Sequence, residues 1–370
     1  MRWIRISFGV FVYTTFLFLL GDFAFTKLIG IPSLTSEQRF RIAHDFYHHT
    51  FQKNFNGQGI WGANVYEMCT DEHGFKVSCS QKILSGNTFD IAFIGDSFTE
   101  AIGMTYENSF VGVFSRNYPQ LRVANLAVAS YSPSIYLNKI ERLLEEGLYF
   151  DHVIVFIDIS DVQDEGTAYL RTPNGSIYQR GKINKEPSSF YTDLKALINN
   201  NFQLFTFAYI TVKKLYSSEI EDEERAYALR LALNRVQRSE WTYNANSEYY
   251  GDLGVEGAIK KAVDNMNQLH TLLSSKDIKL SVGVYPWPEQ LRRGDLEGSR
   301  QETIWRDFCE KRCKIFINVF PTFKTLVENN GVETVYQKYF LQNGVHFNEY
   351  GNEVISETLI KKYDSWLVGH

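Results

Sequence analysis

The chain has 370 residues, of which 44% are hydrophobic and 15% aromatic, and a formal net charge of −5. This places it among globular proteins, with material for one large domain carrying insertions or for two ordinary domains. The charges are of mixed sign and form no extended basic stripe of the kind that holds a phosphate backbone, so nucleic acid is set aside as a partner.

The first element is apolar. After Arg2 and Arg5, residues 6–20 carry no charge and the first acid is Asp22. With Trp3, Ile4 and residues 23–25, the apolar length approaches the ~20 residues of a membrane-spanning helix. No small-x-small cleavage pattern follows it clearly, which favours an uncleaved signal anchor over residues 1–25. The two arginines would stay inside and the remainder would lie outside the cytoplasm, at a bacterial inner membrane facing the periplasm or at a cell surface.

Residues 26–88 read as a stalk helix and a small β cap. Ile31-Pro32 breaks any continuing helix, and Thr35-Ser36-Glu37-Gln38 has the form of a capping box for a new helix through about Phe51. On that helix His44 and His48 stand four apart, followed by His49. Asp45 occupies the place of the glutamate that such zinc motifs use, and no third ligand is evident, so these are expected to be surface histidines. Residues 57–86 are rich in glycine and turns. Cys69 and Cys79 bracket an expected hairpin, and Cys309 and Cys313 lie four apart. Two local disulfides are the natural pairing in an oxidising compartment, although four cysteines allow three connectivities; neither pair has the CxxC spacing of a zinc site.

From residue 89 short apolar strands alternate with helical patterns. Strands are expected at 89–94, 121–127, 152–157, 279–285 and 314–319, and helices at 107–117, 134–146, 257–275, 299–311 and 349–368. Such alternation specifies a parallel sheet covered by helices on both faces, with ligands beyond the carboxyl ends of the strands. The interval 162–250 interrupts the pattern and reads as an inserted helical lid. Within it, residues 202–212 are too short to span a bilayer; they read as a hydrophobic helix packed on the main domain or, functionally, as a substrate cover or membrane contact, and a charged amphipathic helix is expected at 219–239.

The candidate nucleophile is Ser97, in Gly95-Asp96-Ser97-Phe98-Thr99-Glu100 directly after the first strand. A serine on a strand-to-helix turn is presented at the sheet edge, where its own N–H can help to hold an oxyanion. The candidate base is His346, in Asn343-Gly344-Val345-His346 before the last helix, because imidazole takes a serine proton at neutral pH.

These two segments, with residues 125–133 around Ser130 and with Asp158-Ile159-Ser160-Asp161, resemble the four blocks, in order, of the SGNH/GDSL hydrolases, from about residue 89 to the C-terminus. The resemblance implies a flavodoxin-like three-layer α/β/α sandwich with a parallel sheet of about five strands over residues 89–370. It implies Ser97 as nucleophile and His346 as base; no metal or cofactor is expected, since neither the histidine nor the cysteine spacing fits a zinc site. Members hydrolyse or transfer acyl groups, frequently acetyl on carbohydrate, and anchored extracytoplasmic versions often belong to bacterial surface-polysaccharide modification. An acylated carbohydrate or acyl donor is then the expected partner, with the membrane and other polysaccharide-biosynthesis proteins beside it.

Three positions depart from the family's pattern. Ser130 aligns with the second-block glycine, whose backbone N–H is an oxyanion donor. Ser160 aligns with the third-block asparagine, a side-chain donor, and its hydroxyl is expected to join the Ser97 and Ser130 N–H groups at the oxyanion; a hydroxyl that does not reach costs on the order of 10²-fold in rate. Asn343 aligns with the acid that orients the histidine, and the corresponding change in a related triad costs about 10⁴-fold. Asp96 and Asp161 are expected to hold their loops through hydrogen bonds to backbone N–H groups. Two functions follow as expectations: a serine esterase or O-acyltransferase, or a weakly active or inactive relative that binds polysaccharide or scaffolds its synthesis.

Overall fold

The computed structural model describes residues 2–29, 40–61, 64–80, 86–179, 198, 201–216, 235–341 and 344–369. Helix α1 (Arg2–Leu28) precedes a hairpin, β1 (Arg41–His44) and β2 (His48–Phe51), and an antiparallel sheet of β3 (Asn56–Trp61), β4 (Asn64–Thr70) and β5 (Lys76–Val77). The main domain starts with β6 (Thr88–Ile94), α2 (Ser97–Glu100), α3 (Phe110–Asn117), β7 (Val123–Asn125), α4 (Pro133–Glu145), β8 (Tyr149–Phe156) and α5 (Asp161–Thr167). The insertion contributes β9 (Tyr169–Arg171), β10 (Ile177–Gln179), α6 (Gln203–Tyr216) and α7 (Arg235–Ser239). The domain then resumes with α8 (Gly254–Ser274), β11 (Lys279–Val284), α9 (Pro288–Arg293), α10 (Arg300–Cys309), β12 (Phe316–Asn318), α11 (Phe320–Asn330), α12 (Val332–Tyr339) and α13 (Glu349–Val368).

The five strands of the main sheet run in the order β12-β11-β8-β6-β7, and every neighbouring pair is parallel. Numbered by sequence within the sheet this is 2-1-3-4-5, the flavodoxin-like order. Right-handed crossovers then put α3 and α13 on one face and α4, α8 and α10 on the other; α3 packs against α13, and α4 against α8. Val153, Ile154, Val155 and Phe156 of β8 are all fully buried, as a strand covered on both faces must be. The chain reverses direction across the sheet between β6 and β8. The loops leaving those two strands carry Ser97 and Ser160.

The N-terminal segment differs from its sequence reading. The expected stalk helix, where described, is the β1–β2 hairpin; residues 35–39 lie outside the described residues. Residues 46–51 read Phe-Tyr-His-His-Thr-Phe, a run of aromatic and β-branched side chains that suits a pleated, half-buried surface better than a helix. Phe40, Tyr47 and Phe51 are buried in the main core, so tertiary packing outweighs the local capping signal. Residues 202–212 also differ: from Gln203 on they belong to α6, which packs on α1 rather than on the main domain. The anticipated helix at 219–239 is described only at its end, α7.

Helix α1 contains a 22-residue stretch, Ser7–Leu28, long and apolar enough to cross a membrane. Both local disulfides are present, Cys69–Cys79 and Cys309–Cys313.

Candidate active site

Ser97 opens α2 immediately after β6. Gly95 lets this turn pass close to the neighbouring strand end, since a Cβ there would stand 2.9 Å from the Phe156 carbonyl oxygen. Asp96 caps the short helix, its Oδ1 accepting the Phe98 N–H at 2.9 Å. The helix stops after one turn because Ala101 adopts a left-handed φ of 55°. Its freed carbonyls find a buried donor: Lys76 Nζ donates to Glu100 O, Ala101 O and Met104 O at 2.9, 3.0 and 2.7 Å. Burial pulls this lysine down to about 8.

His346 sits on a tight loop ahead of α13, closed by the Phe340–Phe347 bridge and by the Leu341 N–H donating to its carbonyl at 2.8 Å. Its Nε2 lies 2.8 Å from Ser97 Oγ. The hydroxyl has a single proton, and the competing acceptor, Asp96 Oδ2, is at 3.3 Å, so the shorter contact to imidazole takes it. In that arrangement Nε2 accepts and the proton of the neutral ring is on Nδ1. Burial, with a contribution from Arg238, lowers His346 to about 3, which keeps it in the proton-accepting form at neutral pH. The ring is flanked by Phe98, with centroids 4.7 Å apart, and by Trp61 of β3 in an edge-on contact at 5.2 Å. Trp61 is half-buried, so the small β cap forms one wall of the site. Asn343 lies outside the described residues.

Ser130 occupies a turn beyond β7 with φ 65°, the left-handed conformation for which a glycine is ordinarily chosen. Neither its N–H nor that of Ser97 has a protein acceptor among the described residues. The loop carrying Ser130 is fastened from several sides. The Ala129 N–H donates to Glu100 Oε2 at 2.7 Å, while Arg41 from β1 holds Glu100 Oε1 at 2.5 Å. His49 Nε2 contacts the Ala129 carbonyl at 2.8 Å, and Tyr169 donates its hydroxyl to the Ser130 carbonyl at 2.6 Å. Lys139, buried and pulled down to about 7, donates to the Leu126 carbonyl at 2.8 Å.

The histidine group of the hairpin is therefore structural. His44 Nδ1 accepts the Phe46 and Tyr47 N–H groups, and His48 and His49 meet through their Nδ1 atoms at 2.7 Å. His49 is half-buried among these contacts, rather than on the surface as its sequence context implies, and is held down to about 3 by desolvation first and His48 second.

Ser160 is buried, and its hydroxyl donates to Asp158 Oδ1 at 2.5 Å; its N–H donates to the same oxygen at 2.8 Å. That proton is committed in the free protein, so the side chain is turned away from an oxyanion. Asp161 Oδ2 accepts the Tyr136 hydroxyl at 2.7 Å and the Asp158 N–H at 3.2 Å. Asp96, Asp158 and Asp161 bring carboxylate oxygens within 4.8 Å of one another, a spacing that resembles a metal site. The donors already present argue otherwise. Trp287 Nε1 takes Asp158 Oδ2 at 2.6 Å, and burial raises the pKa of all three acids, in Asp96 and Asp161 with mutual repulsion added. Burial and mutual repulsion both favour the protonated forms of this group. Arg238, arriving from α7 and paired with Asp164 at 2.6 Å, supplies the nearby positive charge.

Trp61, Trp287, Glu100, His49 and Arg238 are the site residues that sequence reasoning missed or assigned elsewhere, and none lies in a motif that names its role. Two surface hollows, of about 580 Å³ along α3 and α13 and about 430 Å³ beside β5 and β7, are not lined by Ser97 or His346.

No family model and no curated protein matches the chain. Among solved structures it is similar to the acetylxylan esterase Axe2 of Geobacillus stearothermophilus, at 12% identity over 76% of this chain and 96% of that one, with a TM-score of 0.40. It is also similar to the psychrotrophic esterase EstA of a Pseudoalteromonas species, at 11% identity over 76% and 99% of the two chains and a TM-score of 0.38. A lipolytic protein of the G-D-S-L family from Veillonella parvula matches at 11% identity over 74% and 96%, again with a TM-score of 0.38. The flavodoxin-like assignment stands on the strand order and the parallel connections of the chain itself.

Proposed function

We propose that the chain is an SGNH/GDSL-type serine ester hydrolase or O-acyltransferase, acting outside the cytoplasm on acyl esters of cell-surface carbohydrate. The observation that carries this reading is the 2.8 Å contact between Ser97 Oγ and His346 Nε2 at the topological switch point of the sheet. Ser97 Oγ bonds to the ester carbonyl carbon as its proton passes to His346 Nε2. The resulting oxyanion meets the Ser97 and Ser130 N–H groups. Collapse breaks the bond to the alcohol, which leaves with the proton from His346 and gives an acyl-Ser97 intermediate. Water or a second hydroxyl then attacks that intermediate, with His346 acting again as base. The half-buried Trp61 beside the base supports a sugar, whose apolar faces pack on aromatic rings. Helix α1 and the two disulfides support the extracytoplasmic setting.

A second reading, a weakly active protein that binds acylated polysaccharide, is favoured by one observation: the Ser160 hydroxyl is spent on Asp158. A fluorophosphonate probe and an aryl acetate, applied to the full-length protein in detergent, separate the two. Labelling mapped to Ser97, with turnover lost in Ser97→Ala, is expected; an unlabelled wild type that still binds glycan equally well after Ser97→Ala would establish the second reading instead.

A further inference from the structure

The anchor and the insertion meet through polar contacts that the ester chemistry does not use. Asp22, on the otherwise apolar α1, is 1% exposed. Its Oδ1 accepts the Leu204 N–H and its Oδ2 the Phe205 N–H, each at 2.9 Å. One turn along, Thr26 Oγ1 accepts the Gln203 N–H at 3.0 Å. A helix start leaves four N–H groups without intrahelical partners, and side chains of α1 take those of three successive residues of α6. The Phe23 and Phe202 rings, 6.2 Å apart, close the junction.

The far face of α6 is of another kind. Gln203 and Thr206 are buried toward α1, whereas Phe205 and Tyr209 are 45% and 58% exposed. The helix reads QLFTFAYITVKKLY, 14 residues, uncharged and largely apolar and aromatic until Lys213 and Lys214 near its end. That is about 21 Å, too short to cross a bilayer but suited to lying along one.

The position of the junction identifies what covers that face. Asp22 stands 17 positions beyond Arg5 on one continuous helix, about 26 Å along its axis, close to the ~30 Å thickness of a hydrocarbon core. With the arginines at one headgroup layer, the carboxylate and the start of α6 arrive at the other. Exposed Phe and Tyr at that level match the aromatic belts of membrane proteins.

We infer that α6 is a second membrane-contacting element, docked on α1 through Asp22 and Thr26, with Phe205 and Tyr209 in the lipid interface of the outer leaflet. The inference rests on the reading that α1 crosses a membrane. It makes the insertion a lipid-facing arm of the protein rather than a cover on its sheet.

The four native cysteines are paired, so an introduced cysteine can be labelled selectively. Full-length Phe16→Cys, Tyr209→Cys and Lys260→Cys proteins would each carry an environment-sensitive fluorophore in vesicles of phosphatidylcholine with a minority of phosphatidylglycerol, and be challenged with doxyl-labelled lipid. Quenching is expected at 16 and 209 and not at 260. Quenching at 16 alone overturns the inference and leaves the anchor intact, whereas no quenching at 16 overturns the anchor reading itself. In an Asp22→Ala background, quenching at 209 should be lost while that at 16 persists; if it persists at both, Asp22 is not the dock. Thr26→Val, a milder change, should weaken quenching at 209 in the same direction, and no change there would count against the dock as well.

Discussion

The base role proposed for His346 requires a neutral ring, and burial extends that condition far into acid. With its pKa lowered from 6.5 to about 3, the acid limb of kcat/KM for ester turnover should fall well below pH 6, and the ring should remain unprotonated at pH 5. Recording the pH profile, together with the His346 imidazole resonances, checks this; a limb centred near 6.5 contradicts it. Ser160 makes a second prediction at this scale. Removing an oxyanion donor ordinarily costs 10²- to 10³-fold in kcat. Here the hydroxyl is bonded to Asp158, so Ser160→Ala should lower kcat by less than about tenfold, and should cost on the order of 1 kcal/mol of stability for the lost hydrogen bond. A loss near 10³-fold would show that the hydroxyl swings to the substrate during reaction.

Ser97 and His346 were legible because their residue types carry chemistry and each stands at a recognisable edge, after a strand or before a helix. Their helpers were not. Arg238 pairs with an acid 74 residues away and Trp287 with one 129 away, so their roles exist only once the sheet has closed. Trp61 and Lys76 likewise look like ordinary cap residues until the cap folds over α2.

At the scale of elements, the five strands were readable because short, fully apolar runs between helical patterns have few other solutions. The β1–β2 hairpin was misread because a local capping signal at 35–38 competes with burial of Phe40 and Phe51, and burial is the larger effect. That hairpin reaches the candidate site: Arg41 holds Glu100, and His49 holds the Ala129 carbonyl next to Ser130. Glu100→Gln removes the buried charge facing Arg41. It should destabilise the protein by about 3 kcal/mol in chemical denaturation and lower kcat as the Ser130 loop loosens. His49→Leu should lower kcat about tenfold with little change in KM, because its contact positions an oxyanion donor and touches no substrate. A KM effect without a kcat effect would refute that assignment.

Over the whole molecule, buried titratable groups of opposite tendency set the response to pH. His49, His152 and His346 are each lowered to about 3 against 6.5 in an unfolded chain. Between those values the unfolded state binds protons that the native state refuses. Their contribution to stability is therefore complete above pH 6.5 and is lost as the pH falls toward 3, by up to about 1.4 kcal/mol per pH unit per group. Asp96, Asp158 and Asp161 act in reverse. Their raised values let the native state keep protons above pH 3.8, a contribution that is lost as the pH rises through the folded values. His152 isolates the first effect, because it lies away from the active site with its Nε2 on Ser281 at 2.7 Å. In His152→Leu, the slope of unfolding free energy against pH between 4 and 6 should be shallower than in wild type by up to about 1.4 kcal/mol per unit. Parallel slopes would show that His152 takes up no proton on unfolding.

The contact between Asp22 and α6 also orders events in time. The carboxylate leaves the ribosome 182 residues before the Leu204 N–H it will accept. At ordinary rates of synthesis the wait is roughly ten to forty seconds. Through that interval α1 must hold a charged group without its final partner, which water at the bilayer boundary can solvate and the hydrocarbon interior cannot. On the proposed reading of α1 as a membrane anchor, helix α6 is then the late arrival, captured by an element already threaded into the lipid.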